Sequence, residues 1–437
     1  MSMARQLPTY ILEPTNQWAG TSGYEARKIY RDAETITHYS SAATMFQAIG
    51  DDLGTAPSTG GRIECKNGLY VIDTDIGAGN YHVKFSNNTD GAGIHIDLIG
   101  ETRNNTIIRN SVSSGSLNRM FGFNCNTNLE NITFDVNGVG TETACVVVES
   151  DATGKIGARV NNCKFMKHTG MGFQTYKTDW AIVTNNRFEN TGTAADDQCA
   201  LVCHEYGMIT NNMFDKTVGE PIGSCLTFGE CNNAVIANNV IVRPSNCYNG
   251  ISLEAFGDYH DVNVCNNVLT NGNILIGATG TWAYTFKRIN INNNTLNGGD
   301  IQILGPDSGS HTTQMKDINV EGNWVQDAQE GGIRVFDAAG PTVIRNNFIR
   351  NTNMSGSNPG APYNSAINLR DGNKIICERN NIWMDSNGDP DVNPNGIRFE
   401  NIVDYWIQNN RIINLSANPS YTNGGGNSGT QIISKSL

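Results

Sequence analysis

The chain has 437 residues, a formal net charge of −12 and only 16% charged residues, with 47 glycines and 59 asparagines. So acidic a surface disfavours nucleic acid and anionic membranes as partners, and no stretch approaches the roughly 18 apolar residues of a transmembrane span. Eleven cysteines leave at least one unpaired, and with no Cys-x-x-Cys pair to suggest zinc, mostly free, buried thiols are expected.

Residues 1–39 carry no repeat and read as an N-terminal arm. The opening MSMARQLPTYILEP lacks the continuous apolar core of a signal peptide. In SSAATMFQAIGDDL (40–53), Phe46, Ile49 and Leu53 fall on one helical face, which predicts a short capping helix. TGGRIECKNGLYVID (59–73) then reads as the first strands.

From there one phrase recurs: an alternating apolar run, Asn-Asn or a near variant, one residue, then a large apolar residue. The copies are VNNCKF, TNNRF, TNNMF, ANNVI, CNNVL, NNNTL, EGNWV, RNNFI, RNNIW and QNNRI. The second Asn falls at 162, 186, 212, 239, 267, 294, 323, 347, 381 and 410, with weaker copies at Asn105 and Asn131. Spacings of 24 to 34 residues are those of a solenoid, whose coils bury their apolar faces against their neighbours. Alternation in Asp261-Val262-Asn263-Val264 and Arg288-Ile289-Asn290-Ile291 has period two, so the units are strands. A second strand in each repeat usually opens with Gly, as in NGISL (249–253), GGIRV (331–335) and NGIRF (395–399).

Three short strands per coil predict an all-β fold, a right-handed parallel β-helix of about twelve coils at ~4.8 Å spacing. Asn suits a tight corner because it tolerates the left-handed region, and its amide can bond to the Asn of the next coil to form a ladder. The helix and solenoid are expected over 40–415, with 416–437 a Gly/Ser/Asn-rich tail. The Asn phrase and the entry segment resemble the pectin-lyase-like superfamily of right-handed parallel β-helix proteins, which includes phage tailspikes, pectate lyases and polygalacturonases. The resemblance covers roughly residues 40–415. It implies a substrate groove along the Gly-led strands.

Four groups could supply chemistry there. Asp196 and Asp197, with His204 and Glu205, resemble the paired carboxylates of polygalacturonase-type inverting hydrolases, although Gly219-Glu220-Pro221 sits where Gly-His-Gly is expected and Asn249-Gly250-Ile251-Ser252-Leu253-Glu254 where an Arg-x-Lys strand is expected. Glu230, Glu254 and Asp258, with His260 and Asp261, sit on successive coils and suit a carboxylate pair or a calcium-assisted lyase site. Arg334, Asn368 and Arg398 share one outward position of three Gly-led strands, with Arg370 and Glu400 at the next; such a row fits uronic acids, or else a ladder of surface salt links to Asp337, Asp371 and Glu400. Asp385, Asn387, Asp389 and Asp391 alternate like a calcium loop, although Pro390 breaks the EF-hand pattern. Trp180, Tyr206, Tyr259 and Trp282 are candidate platforms for sugar rings, and equally ordinary strand aromatics.

The leading expectation is a polysaccharide-degrading hydrolase or lyase acting on an acidic glycan, with calcium the one cofactor suggested. The alternative is a non-catalytic glycan-binding receptor, adhesin or structural spike. Either suits an extracellular or virion-surface setting, with a homotrimer in the case of a spike. Ice binding is disfavoured, since no coil series repeats Thr-x-Thr.

Overall fold

The structure is a computed structural model. It describes residues 7–15, 23–30, 33–54, 60–74, 76, 81–85, 94–112, 119–137, 144–150, 156–167, 170–189, 197–215, 224–243, 249–254, 257–277, 284–305, 314–328, 331–352, 365–384, 395–414 and 421–434. The chain divides into two compact units, Met1–Gly223 and Ser224–Leu437. Both are parallel β-helices with the three-strand coil read from the sequence.

In the first unit, strands Thr9–Thr15, Gly23–Tyr30 and Ala33–Tyr39 form an antiparallel meander, and the first of them joins Gly60–Cys65 in parallel. The described residues of the arm are therefore mainly sheet. Helix Ala42–Gly54 follows and buries Met45, Phe46, Ile49 and Leu53. Phe46 packs edge-on against Phe121 at 5.4 Å, closing the end of the apolar interior. Six third strands stack in parallel from Gly68–Ile72 to Met213–Asp215. Their inward residue is repeatedly Phe, and the rings of Phe134, Phe165, Phe188 and Phe214 stack at 5.2, 4.9 and 4.8 Å.

In the second unit, seven third strands run from Val240–Val242 to Arg411–Asn414. Ile241, Leu269, Leu296, Val325, Ile349 and Ile382 replace the Phe stack. Burying each such side chain contributes roughly 1.5–3 kcal/mol. Strand pairing continues past residue 415. Tyr421–Gly425 and Ser428–Ser434 add first and second strands to the stack, so these parts of the expected tail belong to the solenoid.

The Asn pair divides its labour. The first member takes the left-handed conformation, with φ of 59° at Asn185 and Asn211, 58° at Asn238, and 56° at Asn266, Asn293 and Asn346. Gly322 does the same at φ 67°, which explains the variant EGNWV. The second member is buried and forms the ladder. In the second unit it runs through Asn239, Asn267, Asn294, Asn323, Asn347, Asn380 and Asn410. In the first unit Asn186 bonds to Asn212 in the same way. Two repeats were therefore aligned one residue off. Asn162 is the left-handed residue and Cys163 takes the ladder place, donating its backbone N–H to Asn186 Oδ1 at 2.7 Å. Likewise Arg379 is left-handed at φ 56° and Asn380, not Asn381, joins the ladder.

Ten described cysteines are thiols outside any disulfide, nine of them buried. Burial pushes Cys125, Cys163 and Cys377 up to about 12. No described helix is long and apolar enough to cross a membrane.

Candidate functional site

The Gly-led strands of the second unit form one parallel face, and register fixes which side chains share its outward rows. One row reads Ser252, Leu275, Gln302, Arg334, Asn368, Arg398. The adjacent row reads Glu254, Gly277, Leu304, Phe336, Arg370, Glu400. Glu254 and Arg370 are therefore four coils apart, about 19 Å at the usual inter-strand spacing. The row of Glu254 and Arg370 is charged at both ends, with Gly277, Leu304 and Phe336 between them.

At the first end Ser252 Oγ donates to Glu254 Oε1 at 3.3 Å, and Glu254 is half-buried. At the other, Arg398 Nη2 donates to Glu400 Oε2 at 2.8 Å. Arg370 pairs with Asp371 at 3.0 Å, and its guanidinium sits 4.4 Å from the centre of the Phe336 ring. Asn368 is 1% exposed, and its Nδ2 has no hydrogen-bond partner among the described residues.

Arg334 differs from its row. It is 5% exposed and donates from Nη2 to the buried Asp300 Oδ2 at 2.8 Å, and Gln302 Nε2 donates to the other oxygen at 2.7 Å. An exposed contact for a glycan carboxylate is thus not what Arg334 presents. It forms a buried ion pair with Asp300, 34 residues back in the chain.

Glu230 is half-buried beside Gly257, and Asp258 is exposed, accepting the Thr285 backbone N–H at 2.6 Å. Asp261 is held by Arg288 through two bonds of 2.5 and 2.7 Å, which keep its carboxyl below the usual range. Among the described residues no three His, Cys, Asp or Glu side chains gather to hold a metal. Glu230, Glu254, Asp258, His260 and Asp261 thus do not bring three such side chains to one point for calcium, and the carboxylate-pair reading stands beside it. Tyr259 is also corrected. It is fully buried, its hydroxyl donates to the Glu254 carbonyl at 2.6 Å, and its ring stacks on Phe286 at 4.8 Å, so it is core and offers no sugar platform.

In the first unit Asp197 is half-buried just before the strand Cys199–Thr210, and Glu205 is exposed within it. Trp180 and Tyr206 are register neighbours, both half-buried. Asp196, Trp282, Asp385, Asn387, Asp389, Asp391 and the side chain of His204 lie outside the described residues.

Sequence reading missed one constellation in this unit. Tyr81 donates to Glu149 Oε1 at 2.5 Å and accepts from Arg119 Nη1 at 2.5 Å, and Arg119 also reaches Glu149 Oε2 at 3.1 Å. The Tyr81 ring lies against Gly122, where a Cβ would come within 2.5 Å of it. Burial first, and the hydrogen bond to Glu149 second, raise the Tyr81 pKa, so its hydroxyl is a fixed donor. The three residues are 30 to 68 positions apart and no motif joins them.

No protein-family model and no curated protein matches the chain. Three solved structures illustrate what it is similar to. The surface protein and adhesin PfbA of Streptococcus pneumoniae is 12% identical at a TM-score of 0.44, over 87% of this chain and 94% of that one. The catalytic domain of a GH87 alpha-1,3-glucanase in complex with nigerose is 12% identical at 0.41, over 87% and 66%. The PL6 family polysaccharide lyase Pedsa3628 from Pseudopedobacter saltans is 11% identical at 0.40, over 91% and 96%.

Proposed function

We propose that the protein holds a linear, acidic polysaccharide along the outward face of the Gly-led strands in its second unit and cleaves it there, by hydrolysis or β-elimination. The observation that carries this is Asn368. A buried amide donor without a partner costs roughly 1–3 kcal/mol. Beside Arg370 and Arg398 it is a donor waiting for the oxygen atoms of a ligand. Arg370 and Arg398 favour carboxylates among those oxygens. Glu254 is the acid or base candidate at the other end of the same floor, with Glu230 and Asp258 on the adjoining turns; Asp197 and Glu205 are the candidates of the first unit.

The same proposal includes membership of the pectin-lyase-like superfamily, an extracellular or virion-surface setting, and a homotrimer if the protein is a spike. A calcium role rests with Asp385, Asn387, Asp389 and Asp391, so assays carry calcium and chelator arms. The test is a binding titration with polygalacturonate at low and high salt on the wild type, Arg370→Ala and Arg398→Ala. Contacts at the surface are screened over about 10 Å at 0.1 M salt, so binding should weaken with salt and with each substitution. Salt-independent binding that survives both substitutions would overturn the acidic-glycan reading.

A further inference from the structure

The outward face of the third strands changes character between the units. In the first unit it carries paired charges: Arg109 with Asp135 at 2.9 Å, Lys164 with Glu189 at 2.9 Å, and Arg187 with Glu189. That is how exposed sheet is ordinarily kept solvated. In the second unit the same positions hold exposed apolar side chains. Val240, Val268, Trp324 and Trp383 are 41%, 45%, 43% and 40% exposed. Val240, Val268, Thr295, Trp324 and Phe348 form one row by register, and Asn297, Gln326, Arg350 and Trp383 the next.

Trp324 stacks on Phe348 with ring centres 4.1 Å apart and a 24° angle, and its Nε1 donates to Gln326 Oε1 at 2.9 Å. Its register neighbour on the other side is Thr295, a small side chain. An aromatic pair is thus held rigidly at the surface, bordered by amide, hydroxyl and guanidinium groups. Rigid aromatic surface next to polar hydrogen-bonding groups suits a sugar ring, which has an apolar C–H face and a polar rim.

The size of the face decides between occupants. Seven strands at ~4.8 Å and two side-chain rows give a strip of roughly 30 by 10 Å, about 300 Å². A stable interface between proteins needs about 800 Å² from each partner. The strip is too narrow for a second copy of the chain and has the width of one glycan strand.

We propose that the outward face of the third strands in the second unit is a glycan-binding site, taking a single linear oligosaccharide against Trp324, Phe348 and Trp383. It lies on different strands from the Gly-led floor, so it stands whether or not that floor cleaves glycan. The test is native electrophoresis of the full chain through gels containing polygalacturonate or, separately, the neutral linear polymer glucomannan, with Trp324→Ala, Trp383→Ala and the double variant. The wild type should be retarded by at least one polymer, and each single variant should weaken apparent affinity about tenfold, the scale of a truncated aromatic anchor. Both tryptophans are exposed, and circular dichroism of each variant confirms the fold. Retardation unchanged in the double variant, or absent in the wild type for both gels, overturns the proposal. So does light scattering that shows a wild-type multimer converted to monomer by Trp324→Ala, which would assign the strip to self-association.

Discussion

Replacing Asn294 by Leu should destabilise the second unit far more than replacing its neighbour Asn293 by Ala. Asn294 is 1% exposed and makes six hydrogen bonds, five of them involving its side-chain amide or the Oδ1 of Asn323 and the sixth its carbonyl, which accepts from the Trp324 N–H at 2.8 Å. Its N–H and Nδ2 both donate to Asn323 Oδ1 at 3.0 Å, and Nδ2 also donates to the Val264 carbonyl at 2.9 Å. Its own Oδ1 accepts the N–H and Nδ2 of Asn267, both at 3.0 Å. Leu keeps only the two backbone bonds, from its N–H and to its carbonyl from the Trp324 N–H. The Asn267 N–H and Nδ2 lose their acceptor, and the Val264 carbonyl loses a donor. Stranded buried groups cost about 1–3 kcal/mol each, and partial relaxation brings the total to about 3–5 kcal/mol. Asn293, at φ 56°, faces solvent, and Ala there loses only the tolerance of Asn for the left-handed region, about 1 kcal/mol. Urea unfolding followed by circular dichroism, with purified variants side by side, reads the difference. Equal midpoints for the two variants, or an Asn294→Leu midpoint matching the wild type, would refute the division of labour within the Asn pair.

Three further outcomes follow from the structure. Arg334→Ala should cost about 3–5 kcal/mol by taking the guanidinium away from the buried Asp300 carboxylate, whereas Arg398→Ala should cost about 1 kcal/mol or less, and thermal melts separate them. His95 Nε2 lies 2.9 Å from Asp97 Oδ1, which raises the histidine pKa, and burial is outweighed by this bond and the Asn128 amide so that Asp97 is lowered. A raised His stabilises below its unfolded pKa and loses that as pH rises through the folded value; a lowered Asp stabilises above its unfolded pKa and loses that as pH falls. The pair should therefore help most between about pH 4 and 6.5 and by less than about 1 kcal/mol, and His95→Gln should flatten the stability profile in that window. Native protein should show slow reaction of its buried thiols with a disulfide reagent, the half-buried Cys265 reacting first among the described cysteines, and eleven thiols on unfolding.

The coil plan was legible because the left-handed corner and the ladder each demand Asn, once per turn, beside an alternating strand. The alignment slipped at VNNCKF and RNNIW for a physical reason. Where Cys163 fills the ladder place, or Arg379 the left-handed one, the visible Asn pair no longer marks the same two positions, and only strand register does. The outward row of Arg334, Asn368 and Arg398 could be read from GIR, AIN and GIR, since alternation fixes facing. Burial of Arg334 could not, because Asp300 belongs to the preceding coil. Tyr259 was misread because a turn aromatic in sequence can be the first inward residue of a strand, as its burial pattern shows. The Tyr81, Arg119 and Glu149 cluster spans three coils and leaves no local trace.

The most direct test of the central claim is a cleavage assay. The full chain is incubated with polygalacturonate and other linear acidic polysaccharides, with calcium or with chelator. Ultraviolet absorbance reports the unsaturated product of elimination, and new reducing ends without it report hydrolysis. The account predicts one of these signals for the wild type and a loss of at least about 100-fold in folded Glu254→Gln, the scale of a missing acid or base. Full activity in Glu254→Gln would move the chemistry away from this end of the floor, and to Asp197 and its neighbours if folded Asp197→Asn is the variant that fails. Binding without either signal on any polymer would contradict cleavage and leave a glycan-binding protein.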